Sequence, residues 1–305
     1  MSNSTINKTM TPIEWAMLIT LSVVWGGSFF FVGVIVDDLP PLTIVFFRVF
    51  IAATALHLYF RFSGRLMPWS AVAWLAFFGM GLLNNVIPFI FIVWGQTQIA
   101  SGVASILNAT TPIFTVLVAH MLTNDEKLTR LRVVGVLIGF VGVAIMIGGG
   151  AVADGLSSGV AQLAFIGAAI SYAFASVFGR RFKQMEIEPY AVATGQVSAS
   201  AIMMMPIMLL IDQPWTLSMP SVGSIAALIA LGTVSSAYAY ILYFKILSSA
   251  GSTNASLVTF LVPVSAIILG IAFLGEVLLP RHLIGLALII AGLIFVDGRL
   301  FNRTK

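Results

Sequence analysis

The chain has 305 residues, of which 59% are hydrophobic and only 9% charged, with a net charge of +4. A soluble domain carries roughly 25% charged residues, so polar side chains are too few here to cover a water-facing surface, and the outer surface must face lipid. The basic residues are scattered through short segments rather than gathered in a stripe, which excludes a nucleic-acid partner. The absence of cysteine excludes disulfides and thiol catalysis.

Apolar runs bounded by charge or by Pro and Gly clusters predict ten spans, near 13–36, 41–61, 70–94, 100–122, 131–149, 158–180, 189–211, 221–247, 252–275 and 281–299. Each is close to the about 20 residues that a helix needs to cross about 30 Å of hydrocarbon. Backbone groups in lipid must be satisfied within their own segment, so each run is read as a helix. Alternating segments of about ten residues, the mark of barrel strands, are absent. The first run is too long for a cleavable signal, and residues 1–12 and 300–305 are expected as short termini.

The positions of Lys and Arg predict the orientation. With a cytoplasmic N-terminus, thirteen of the fifteen fall on the cytoplasmic side: Lys8, Arg61, Arg65, Lys127, Arg130, Arg132, Arg180, Arg181, Lys183, Lys245, Arg299, Arg303 and Lys305. Arg281 lies outside and Arg48 within the second span. The outer connections carry Asp37, Asp38, Asp154, Asp212 and Glu276. The expectation is a multi-pass protein of the cell inner membrane with both termini in the cytoplasm.

The sequence also repeats itself. Pro112, Glu126, Gly135 and Gly142 recur as Pro263, Glu276, Gly285 and Gly292. Ala104-Ser105 recurs as Ala255-Ser256, and Pro41 with Arg48 corresponds to Pro189 with Gln196. These offsets fall between 148 and 151 residues. The expected halves are 13–149 and 158–299, with five spans each. An odd number of spans turns the second half over, so the fold expected is all-α, two inverted five-helix repeats. Carriers use that arrangement to alternate between two openings around a midplane site.

Residues 99–143 (IASGVASILNATTPIFTVLVAHMLTNDEKLTRLRVVGVLIGFVGV) resemble the signature of EamA-type members of the drug/metabolite transporter superfamily, and residues 248–293 resemble it a second time. WGGSFFFVG in the first span and FFRVF in the second are similar to the same family. The first copy departs from the pattern, with Thr123-Asn124-Asp125-Glu126 in place of the usual glycine-Glu. The resemblance implies a ten-helix carrier of small metabolites, commonly outward. It also implies that spans one to four and six to nine surround a central cavity, with five and ten outside it. Members export amino acids and related compounds or carry nucleotide sugars and sugar phosphates, and the EamA type points to the first group.

Polar groups inside spans are costly and mark pathways or structural hydrogen bonds. Pro88, Pro112 and Pro263 each lack the amide that would bond the carbonyl four residues back, on Asn84, Asn108 and Thr259. Such a break serves solute binding or hinging, or is a kink healed by the polar side chain itself. Asn84, Asn85 and Asn108 are therefore candidate substrate ligands, and the three prolines candidate hinges or gates. Arg48 lies roughly 10 Å below the outer end of its span. It is a candidate for a substrate carboxylate or phosphate, or else it snorkels towards Asp37 or Asp38 or locks helices together. Its neutral repeat mate Gln196, itself a candidate ligand, favours the structural role.

Trp25 and Tyr172, at an offset of 147, and Tyr238 complete the candidate set, beside Tyr240 and Trp94. Tyr238 and Tyr240 are two apart on a helix and face different directions. Trp15 and Trp94, at span ends, read as interface anchors. Gly135, Gly142 and Gly149, with Gly285 and Gly292, recur every seven residues and permit close helix packing, within one chain or between two. The chain is thus expected as a monomer or a homodimer.

No Asp or Glu falls mid-span, and His57, His120 and His282 lie near span ends. Facilitated diffusion or exchange is therefore favoured over obligatory proton coupling, which needs a buried titratable relay. A proton-coupled drug or nucleobase exporter is the alternative, and a channel or an intramembrane enzyme the remote one. Gly155, Ser157 and Gly159 match a hydrolase elbow in letters only, without its strand-turn-helix setting. No enzyme, metal or cofactor is expected. Asn, Gln, Tyr and Trp with one Arg suit neutral or zwitterionic solutes such as amino acids, and equally purines or small drugs.

Overall fold

The computed structural model describes residues 10–64, 66–124, 128–153, 156–255 and 257–297. Lys8, Arg65, Glu126, Lys127, Asp154, Gly155, Arg299, Arg303 and Lys305 lie outside the described residues. Among the described residues there is no strand. The helices are α1 (Pro12–Ile35), α2 (Pro41–Ser63), α3 (Ala71–Gln96), α4 (Ser101–Leu122), α5 (Arg130–Ala153), α6 (Leu156–Gln184) and α7 (Pro189–Ile211). They continue with α8 (Val222–Gly232, Thr233–Tyr238 and Ala239–Ala255), α9 (Val258–Leu274) and α10 (Pro280–Asp297). Among the described residues α1, α2, α3, α4, α6, α7 and α8 are long and apolar enough to cross a membrane, and α9 and α10 are shorter apolar helices.

The helix starts show why the chain breaks where it does. Thr11 caps α1 in a capping box with Glu14, and Pro12 occupies the first turn, where an amide is not needed. Ser70 caps α3 by accepting from the Ala73 amide. Three further helix starts are held by acids from elsewhere in the chain. Asp38, between α1 and α2, accepts from the Ser221 amide at 2.9 Å and the Ser224 hydroxyl at 2.7 Å, at the head of α8. Asp212, after α7, accepts from the Thr43 amide and hydroxyl at 2.7 and 2.8 Å, at the head of α2. Glu276, after α9, accepts from the Ser101 and Gly102 amides at 2.6 and 2.9 Å, at the head of α4. Free amides and the helix dipole both favour a carboxylate at such positions. Three of the acids expected in outer connections thus join first-half residues to second-half ones at one end of the bundle.

Both α3 and α8 contain a π segment, Leu82–Val86 and Thr233–Tyr238, starting 151 positions apart. In α3, Pro88 stands two positions after it and removes an amide, and the Ile87 amide bonds back five residues to the Leu82 carbonyl. No proline marks the segment in α8, where the Ser236 hydroxyl donates to the Leu231 carbonyl at 2.9 Å. The α4 helix is interrupted at Ala109–Thr110, and Pro112 sits in the first turn of its second part, Thr111–Leu122. Pro263 lies inside α9, which resumes after Leu257.

Two boundaries differ from the sequence expectation. The helix α5 runs on to Ala153 and α6 starts at Leu156, so the 150–157 connection shrinks and Ser157 and Gly159 are helical. The α8 helix continues to Ala255, which places the expected start of the ninth span at 252 inside it. Small polar residues there read as a loop, yet the backbone stays helical, and the Asn254 side-chain amide donates back to the Ala250 carbonyl at 3.0 Å.

Helices α5 and α10 pack along their length. A Cβ on Gly135 would meet the Gly292 carbonyl at 2.5 Å, and one on Gly142 would meet the Gly285 carbonyl at 2.8 Å. The small-residue seam therefore closes within one chain. In lipid, dispersion at such close approach takes the place of the hydrophobic effect between helices. Apolar side chains turned outward, such as Leu58, Phe62, Leu75, Leu137, Leu210 and Ile268, give the bundle its lipid-facing surface.

Candidate functional site

A cavity of about 1030 Å³ runs into the bundle. Its wall takes residues from α1 to α4 and from α6 to α9, and among the described residues none from α5 or α10. It opens beside Lys183, Glu186 and Glu188, where α6 passes to α7. Towards the opposite, acid-capped end the space is filled by buried apolar side chains, among them Val32, Ile35, Ile44, Val93, Met208 and Leu228. Among the described residues the cavity is thus lined out to one end of the bundle and packed shut towards the other.

Arg48 is in the wall and only 6% exposed. Its Nε donates to the Ser236 hydroxyl at 3.1 Å, and its guanidinium lies 3.8 Å from the centre of the Phe89 ring. It does not snorkel to Asp38, whose carboxylate is occupied by Ser221 and Ser224. Among the described residues no carboxylate hydrogen-bonds to it. Among the described residues the only acids in the cavity wall are Glu186 and Glu188, at the mouth.

Of the residues singled out in the sequence, Trp25, Arg48, Asn84, Asn108, Tyr172, Gln196 and Pro112 line this one space. Asn84 Nδ2 donates to Gln196 Oε1 at 3.0 Å. Asn108 Oδ1 is buried with no hydrogen-bond partner, while the Asn108 carbonyl accepts from the Thr111 hydroxyl at 2.7 Å. The proline break at Asn108 is thus healed by a neighbour, and its side chain is left over. Trp25 packs against Tyr243, ring centres 5.6 Å apart. The Thr259 side of the α9 break also reaches the cavity.

Two candidates stand elsewhere. Asn85 is fully buried behind the wall, where Nδ2 donates to the Ser200 hydroxyl and Oδ1 accepts from the Tyr240 hydroxyl, both at 3.0 Å. Tyr238 is 45% exposed on the outside, and it is Tyr240, two residues on, that faces inward. Pro88 and Pro263 act on the backbone and lie outside the wall. Ser236 escaped notice in the sequence. It stands 151 positions after Asn85, so the repeat itself was the signal that could have found it.

His57, His120 and His282 lie away from the cavity. His57 Nε2 is 2.9 Å from the Ser198 hydroxyl in a shallow outer groove. His120 and His282 accept from the Leu128 and Leu279 amides. Among the described residues no group of three or more His, Cys, Asp or Glu side chains is placed to hold a metal ion.

The profile of the EamA-like transporter family matches residues 13–148 and again 159–296. The chain is 26% identical over 293 residues to the uncharacterized transporter YoaV of Bacillus subtilis (strain 168), covering 94% of this chain and 97% of that protein. It is 27% identical over 283 residues to the uncharacterized inner membrane transporter YedA of Escherichia coli (strain K12), covering 92% and 89%. It is 26% identical over 306 residues to a probable terminal-alkyne amino-acid exporter of Streptantibioticus cattleyicolor, covering 97% of each. A solved crystal structure at 20% identity superposes with a TM-score of 0.66 over 96% of this chain and 99% of that one, a likeness of fold. Two family matches that together span nearly the whole sequence place the chain in the EamA-like transporter family, within the drug/metabolite transporter superfamily, as a multi-pass membrane transporter and not an enzyme.

Proposed function

We propose that the chain is an alternating-access exporter of small metabolites, amino acids or related compounds above all, in the cell inner membrane. In this reading ten spans form two inverted five-helix halves, 13–149 and 158–299, with both termini cytoplasmic. The two π segments and the reciprocal glycine contacts of α5 and α10 support the inverted halves, because each is matched by its counterpart in the other half. The basic residues at the open end support a cytoplasmic opening. Transport is facilitative or by exchange, since among the described residues the cavity wall holds no carboxylate or histidine at depth for a proton relay.

One observation carries the substrate reading: a buried guanidinium, with no carboxylate bonded to it among the described residues, stands in the wall of the cavity. Arg48 suits the carboxylate of the solute, and the unpartnered Asn108 Oδ1 suits its ammonium. The Trp25–Tyr243 pair offers ring faces to an apolar or aromatic side chain. A neighbour of similar length named as an amino-acid exporter agrees with this choice.

Thermal unfolding of the purified protein in detergent tests the reading. L-phenylalanine should raise the melting temperature, because a ligand at about 100 times its Kd stabilises by about 2.7 kcal/mol. Phenethylamine, which lacks the carboxylate, should not. Equal shifts from both compounds, or a shift retained in Arg48→Gln, would remove Arg48 from the binding site.

A further inference from the structure

The two ends of the bundle are built alike and fastened differently. At the acid-capped end α1 packs along the first part of α8, Val222–Gly232. At the mouth the corresponding pair, α6 and the first part of α3, Ala71–Gly81, touch only lightly. The residues placed to fasten each pair correspond in the repeat. Asp38 stands three positions before Pro41, which opens α2, and Glu186 three before Pro189, which opens α7. Ser221 and Ser70 cap α8 and α3 alike, each accepting from the amide three residues on, at 3.1 and 3.2 Å. They are 151 positions apart, the offset of the two π segments.

One of the two pairs is joined and the other is not. The Asp38 carboxylate accepts from the Ser221 amide at 2.9 Å. Among the described residues the Glu186 carboxylate has no hydrogen bond or ion pair, and the Ser70 amide has no partner. Both residues are exposed, and Glu186 is in the rim of the cavity. Met185 and Ile187, on either side of it, belong to one apolar cluster with Met67, Trp74 and Phe77 at the start of α3. The α6–α7 corner is therefore already seated beside the helix it would hold. Glu186 also lies in the left-handed backbone region, at φ 54°, which is costly for a residue with a Cβ. Asp38 does not, so a swing to the conformation of Asp38 relieves that cost. Neither remaining acid clasp offers such a pair, because Asp212 corresponds to Gly64 and Glu276 to Glu126, outside the described residues.

We propose that Glu186 is the latch of the mouth: when that end closes, its carboxylate grips the Ser70 amide and fastens α6 to the head of α3. The contact is the counterpart of the Asp38 clasp on Ser221, and a free helix-start amide favours a carboxylate there as well. The proposal rests on the reading of two inverted halves that exchange conformations. It adds the pair of residues that holds the closed form, and it predicts that Asp38 and Glu186 fasten the carrier in turn.

Proximity in the full-length protein, in membrane vesicles, is the first test. The chain has no cysteine, so Glu186→Cys with Ser70→Cys is an isolated thiol pair at two exposed positions. Oxidation with copper phenanthroline should join this pair, and should leave Glu188→Cys with Ser70→Cys unjoined. No disulfide in the Glu186 pair, or equal yields from the two pairs, overturns the latch.

A second measurement separates the latch from the carrier reading. Ser28→Cys in the cavity wall reports the opening through its reaction with a membrane-impermeant maleimide. Reaction from the acid-capped face needs the mouth closed and that end open. Adding Glu186→Ala should slow it by roughly 2- to 30-fold, the equivalent of a lost helix cap. Glu186→Asp, which supplies the residue of the outer clasp, should keep the parent rate. An unchanged rate in Glu186→Ala, or equal slowing in both variants, overturns the latch and leaves the carrier reading intact. A Ser28→Cys thiol that never reacts from the acid-capped face overturns alternating access, and the latch with it.

Discussion

Asn84 donates to Gln196 Oε1 at 3.0 Å, and this bond has a counterpart in the one from Arg48 to Ser236. Arg48 and Gln196 are 148 positions apart, and each reaches a polar side chain in the π segment of the opposite half. A glycine at the edge of each π segment permits the approach: a Cβ on Gly81 would meet the Gln196 carbonyl at 2.7 Å, and one on Gly232 the Arg48 carbonyl at 3.2 Å. The two halves thus meet at the cavity through similar contacts one residue out of repeat register, since Ser236 corresponds to Asn85, with a charge in one and an amide in the other. The neutral mate of Arg48 points to a structural role, and the bond from Arg48 to Ser236 does join α2 to α8, in the wall of the cavity.

Asn84→Ala should therefore slow transport without unfolding the protein. A side-chain hydrogen bond contributes about 0.5–1.5 kcal/mol, so a roughly 2- to 10-fold loss of uptake at an unchanged fold is expected. A double-mutant cycle with Gln196→Ala checks the pairing through melting of the four proteins in detergent. Strict additivity of the two substitutions would mean that the pair does not couple.

Gly142→Val probes the α5–α10 seam, which stands apart from the cavity. The added Cβ would lie 2.8 Å from the Gly285 carbonyl and 3.0 Å from Leu288 Cβ, and backbone on both sides leaves little room to give. Overpacking of this kind costs about 1–3 kcal/mol. The melting temperature should fall, while amino-acid affinity in the protein that remains folded should match the parent. A loss of affinity at unchanged stability would contradict the separation of seam and cavity.

Glu276 holds two free amides at the head of α4, so Glu276→Ala removes a cap worth about 0.5–2 kcal/mol. The bond joins α4 to the segment after α9 at the closed end, and breaking it should ease opening there. A cysteine placed at Ser28 in the cavity wall, unique in a chain without cysteine, should then gain reactivity towards a membrane-impermeant maleimide from the acid-capped face. Reactivity confined to the other face would show that Glu276 stabilises the helix without latching that end.

Much of this was legible in the sequence because lipid imposes two plain signals, apolar length and small-residue spacing. The Gly135, Gly142, Gly285 and Gly292 pattern anticipated a seam, and only whether it lay within one chain stayed open. Trp25, Arg48, Asn84, Asn108, Tyr172 and Gln196 come together because costly polar groups in spans turn away from lipid. Local backbone detail escaped. The π segment of α8 has no proline to announce it. It sets the local rotation of the helix, so the choice between Tyr238 and Tyr240 could not be made from spacing alone. The outer acids read as charge bias, whereas the structure gives Asp38, Asp212 and Glu276 specific amides to hold.

Asp38 gives this capped end a pH signature. Hydrogen bonds from the Ser221 side chain, the Ser224 side chain and the Ser221 amide hold its carboxyl below its ordinary value of 3.8. A carboxylate with a lowered pKa stabilises the fold above its unfolded value, and that contribution is lost as pH falls through the folded value. The clasp on α8 should therefore be complete at neutral pH and down to about pH 4, and weaken only below it. Asp38→Asn should melt earlier than the parent by a constant interval from pH 8 to pH 5, and the interval should close under strongly acidic conditions. An interval that widens on acidification would reverse the sign and show that the protonated carboxyl is the form that holds Ser221 and Ser224.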